Sequence, residues 1–85
     1  MAVRIIPFFA QFTDLPMFRH SRRWSLHIDD SRRVLVEQAW ATTEEVGSYS
    51  GSDFMTLETF LASEQDRVLL AKLRQVLDAE VAARR

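Results

Sequence analysis

The residues that invite a chemical reading are gathered in Gly47-Ser-Tyr-Ser-Gly-Ser-Asp53, which holds both glycines of the chain and three of its serines. A nucleophile elbow needs serine at the centre of Gly-x-Ser-x-Gly, and the central residue here is Tyr49. A phosphate loop needs Gly-Lys-Ser/Thr at its end, and Gly51 is followed by Ser52 and Asp53. The segment therefore reads as a connecting loop, with Tyr49 and the neighbouring Phe54 as aromatic anchors for a partner.

The two histidines, His20 and His27, are seven residues apart. On a continuous strand an odd spacing sends them to opposite faces, where they cannot share a metal. No carboxylates stand at a telling spacing beside them, and the chain has no cysteine. No catalytic residue, cofactor site or metal site is assigned, and the sequence points away from an enzyme.

The densest binding candidate is Phe18-Arg-His-Ser-Arg-Arg-Trp24, where Arg19, Arg22 and Arg23 interleave with aromatics ending in Trp24. Arg32 and Arg33 are expected to return beside it across a hairpin. Such a patch suits an acidic protein surface, and its alternative use is to grip phosphates and stack bases as single-strand nucleic-acid binders do. The chain's net charge is −1, which favours protein over nucleic acid. That total hides a basic, acidic, basic order: +3 over residues 1–33, −6 over 34–64 and +2 over 65–85.

Positioning these residues falls to a short series of elements. At 85 residues the chain is one domain, residues 1–85, with a modest core. Residues 3–12 read as a strand, with Ile6, Phe8, Ala10 and Phe12 on one face and Val3, Ile5 and Phe9 on the other; Pro7 confines it to an edge or a bulge. Thr13–Phe18 reads as a turn. Trp24, Leu26 and Ile28 alternate with polar residues, the period of a half-buried strand, and Asp29-Asp-Ser31 reads as its hairpin connection. Residues 32–42 fit a strand with Val34, Val36 and Trp40 on one side, although Ser31 and Glu37–Ala41 also suit a helix.

Thr56 caps a short helix over 57–63, and Ser63 with Asp66 resembles a capping box opening the last helix. There Leu70, Leu73, Leu77 and Val81 form an apolar stripe flanked by Leu69 and Val76, with Arg84 and Arg85 at the negative end of the helix dipole. The fold class expected is α+β: a small antiparallel sheet of two or three strands packed against the long C-terminal helix. So thin a core leaves apolar surface for a homodimer or another partner. No apolar run approaches the roughly 18 residues that cross a membrane, and no signal peptide is visible, so a full-length cytoplasmic chain is expected. The sequence thus reads as a non-enzymatic protein-binding regulator, with nucleic-acid binding as the alternative.

Overall fold

In the computed structural model, residues 3–31 and 33–83 are described. Four strands follow one another as an antiparallel meander, β1 (Arg4–Leu15), β2 (Phe18–Ile28), β3 (Val34–Glu44) and β4 (Gly47–Thr56), in the order β1-β2-β3-β4. Two helices close the chain, α1 (Leu57–Ser63) and α2 (Arg67–Ala83). The α+β expectation holds, with four strands rather than two or three. The added strand is β4, built from the Gly/Ser segment read as a loop.

Its register explains that segment. Gly51 lies directly opposite Trp40, and a Cβ built on Gly51 would come within 2.5 Å of the Trp40 ring. The glycine is there because a cross-strand indole occupies the space a side chain would need. Residues 34–44 are strand and not helix, which settles the ambiguous segment. The first turn is tighter than expected, because β1 runs on to Leu15 and only Pro16 and Met17 lie between the strands.

β1 also departs from simple alternation. Its pairing with β2 slips between Pro7 and Phe9, so Phe8 is an extra, bulged residue. Phe8 and Phe9 both reach the core, Phe8 edge-on to Phe60 at 6.3 Å and Phe9 against Trp24 at 5.4 Å between ring centroids. Beyond the bulge the faces exchange, and Phe12 points away from the helices instead of sharing a face with Phe8.

The core lies on one side of the sheet. Trp24 and Leu26 of β2 and Val36 of β3 are buried, Leu26 and Val36 completely, beneath Phe60 of α1 and Leu69 and Leu73 of α2, and Ile28 is buried at the end of β2 outside this cluster. The buried stripe of α2 is thus centred on Leu69 and Leu73. Leu70, Val76 and Leu77 flank it, and Val81 is exposed. Leu69, expected at the margin, is in the middle, because the face that α2 turns to the sheet runs through Leu69, Leu73 and Glu80, which Arg4 engages, and leaves Val81 outside. The α2 cap is Asp66, whose Oδ1 accepts from the Val68 and Leu69 amides at 2.9 and 3.1 Å. Ser63 instead donates its hydroxyl back to the Thr59 carbonyl at 2.8 Å, closing α1. Thr56 caps α1 as expected. Arg84 and Arg85, assigned to the helix end, lie outside the described residues.

α2 returns the chain to its beginning. It packs on β1, where Arg4 donates both guanidinium nitrogens to the Glu80 carboxylate at 2.7 Å. Among the described residues no helix is long and apolar enough to cross a membrane.

Candidate functional site

Strands of ten to twelve residues extend past the two helices, so the core fills only the half of the sheet nearest the β2–β3 connection. The β1–β2 and β3–β4 turns lie together at the other end, as the meander dictates. There the sheet has no helix on either face.

The arginines are distributed by strand alternation. Arg19 and Arg23 point to the helix-free face of β2 and Arg22 to the helix side, so Arg19, Arg22 and Arg23 do not form one patch. Arg22 pairs in register with Gln11 and Trp40. Arg19 is held at 3.1 Å by Asp14 on the neighbouring strand. Arg33 sits beside the β2–β3 connection, seven register positions from Arg22, or about 23 Å along a strand. It does not return beside the Arg19–Arg23 stretch, because the hairpin closes at the far end of β2. Arg32 lies outside the described residues. Trp24 is a core residue and offers no surface to a partner.

On the helix-free face two shallow depressions are floored by Ser21, Ser25, Ala39 and Ala41 and walled by Phe12, Arg19, Arg23 and Glu37. Phe54 is exposed at the edge of this face, and its ring packs edge-on to His27 at 5.0 Å. His27 in turn lies 2.9 Å from Glu37. His20 is on the opposite face, 2.7 Å from the Thr42 hydroxyl and stacked on Phe18. Both histidines are therefore engaged by neighbours on separate faces. Among the described residues no group of three His, Cys, Asp or Glu side chains could hold a metal.

The turn end carries residues that sequence reasoning missed. Leu15, Met17 and Val46 are exposed, Met17 at 67% and Val46 at 83%, and Tyr49 stands exposed just beyond Val46 on β4. Met17 has a φ of 68°, the only positive φ in a residue other than glycine among the described residues. Pro16 followed by a residue in this left-handed region is the pattern of a type II turn, whose third position ordinarily takes glycine or asparagine. A methionine there costs roughly 1–2 kcal/mol of steric strain and exposes an apolar side chain as well. The legible signal was the tripeptide Leu15-Pro-Met17, three apolar residues where a tight turn wants polar ones. A cleft beside it is lined by Leu15, Met17 and Phe18 together with Asp14, Glu44 and Glu45.

No protein-family model matches the chain, and comparison with curated proteins and with solved structures returns no significant match.

Proposed function

We propose that this chain is a small, cytoplasmic, non-enzymatic regulator that acts by binding another protein, as an inhibitor, adaptor or accessory subunit, through the turn end of its sheet. The observation that carries the reading is Met17, an apolar side chain kept exposed in a backbone conformation that favours glycine. Strain of this kind clusters where a surface is shaped for contact. Leu15, Val46 and Tyr49 extend the apolar surface around it. The partner that fits is apolar at its centre. It offers base opposite Glu44 and Glu45, and acid where it reaches Arg19 and Arg23 on the helix-free face.

Met17→Gly separates binding from folding, because the two effects have opposite signs. Relief of the left-handed strain should raise stability by about 1 kcal/mol. Loss of the side chain should reduce binding by tenfold or more, the cost of removing an interface anchor. The measurement is photo-crosslinking from a reactive residue at position 46 in native cells, with thermal denaturation of the same proteins. A discrete protein adduct that vanishes in a more stable Met17→Gly variant supports the proposal. An adduct unchanged by Met17→Gly, or none at all, refutes it.

A second reading rests on the helix-free face, where exposed Phe12 and Phe54 accompany Arg19 and Arg23. That is the composition of a stacking platform for single-stranded nucleic acid. Tryptophan quenching would report poorly on it, since Trp24 is buried and Trp40 lies on the other face. Anisotropy of a labelled oligonucleotide is the suitable probe: low-salt binding abolished by Arg19→Ala/Arg23→Ala would favour this reading, and no binding at low salt would end it.

A further inference from the structure

The two edges of the sheet are protected unequally. β1 carries Pro7, the bulge at Phe8 and the Arg4–Glu80 pair along its length, each of which interrupts or guards an edge. β4 has none of these. Its ten residues pair with β3 in unbroken register, contain no proline or basic residue, and bear a single charge, Asp53. Beyond β4 there is no further strand among the described residues.

The exposed surface is larger than that of a compact monomer of this mass, enough to supply an interface. A compact 9.9 kDa monomer exposes about 5,200 Å² by the general scaling of surface with mass, whereas this chain exposes 6451 Å². The excess of roughly 1,200 Å² exceeds the ~800 Å² that each partner contributes to a standard stable interface. The radius of gyration is 14.8 Å, against about 12 Å expected for a compact domain of this length.

We infer that β4 pairs antiparallel with β4 of a second copy of this chain, joining two four-stranded sheets into one of eight strands. Three features select a second copy. A two-fold axis uses the same edge twice and closes the assembly. The competing contact, β4 on β1 of another copy, would propagate into an open fibre, and Pro7 and the bulge obstruct it. The charge pattern also allows it: pairing centred on Gly51 or Ser52 sets Asp53 opposite Tyr49 or Gly51 of the other copy, so the lone acid never meets its symmetry mate. This interface is distinct from the turn-end surface proposed above, and its failure would leave that reading intact.

The chain has no cysteine, so a single Ser52→Cys variant reports on this contact alone. Under mild oxidation it should form a disulfide-linked dimer at least tenfold faster than Ser31→Cys, which lies beside the β2–β3 connection. Light scattering of the wild type at about 100 μM should give twice the single-chain mass, and Ser50→Lys/Ser52→Lys should return it to one while circular dichroism stays folded. A monomeric wild type, a mass that climbs with concentration beyond two chains, or a dimer that the lysines do not weaken would each overturn the inference.

Discussion

Gly51 and Met17 are opposite cases of fit between a residue and its backbone. Gly51 is small because Trp40 needs the room, so Gly51→Ala should push the indole off its strand and cost about 1–3 kcal/mol, the usual penalty of overpacking. The check is the urea midpoint of the variant, and an unchanged midpoint would mean the ring moves freely. Neither residue could be read correctly from the chain alone. A Gly/Ser run is ordinary loop composition, and only the register that sets Gly51 against Trp40 makes it strand. The apolar turn Leu15-Pro-Met17 is visible in the chain, but nothing there marks Met17 as left-handed. Tyr49, Phe54 and Arg19 were identified from type alone and do lie on the surface, whereas Trp24 was misassigned because an aromatic beside arginines serves a core and a binding patch equally well.

Among the elements, the β2–β3 hairpin depends most visibly on one side chain. Asp29 Oδ1 accepts from the Ser31 hydroxyl at 2.8 Å, from the Arg33 amide at 2.9 Å and from the Ser31 amide at 3.0 Å, and its own amide donates to the Arg33 carbonyl. These bonds, the Ser31 hydroxyl first among them, hold the Asp29 carboxyl below its ordinary value of 3.8. A lowered folded pKa means stability that is present above the ordinary value and disappears as pH falls through the folded one. The stability gap between wild type and Asp29→Ala should therefore be widest near neutrality and narrow below pH 3.8, as read from urea midpoints at pH 7 and pH 3. β2 and its hairpin were legible because strict alternation and turn chemistry agree there. β1 was misread past Pro7, since a bulge reverses every later side chain without marking the sequence beyond the proline itself. α2 was found but rotated, because apolar periodicity selects Val81 and cannot show that Glu80, held by Arg4, lies on the covered side instead.

For the molecule as a whole, the sheet is supported at one end and bare at the other, and local stability should follow. Amides of Trp24, Leu26 and Val36, beneath the helices, should exchange with solvent orders of magnitude more slowly than those of Ser21, Thr42 and Tyr49 toward the turn end. Uniform protection along the strands would indicate that the turn end is covered in solution. The basic-acidic-basic order of the chain was plain in the sequence. Its consequence was not, because alternation divides the arginines of β2 between two faces. The closure of β1 by α2 also sets an order of events during synthesis. The first strand is covered by α2, so all four strands are synthesised before the helix that shields them. At 5–20 residues per second the 17 residues of α2 take about one to three seconds to translate. For that interval Leu26 and Val36 lack their cover, and a nascent chain in this state is a natural client for a ribosome-associated chaperone.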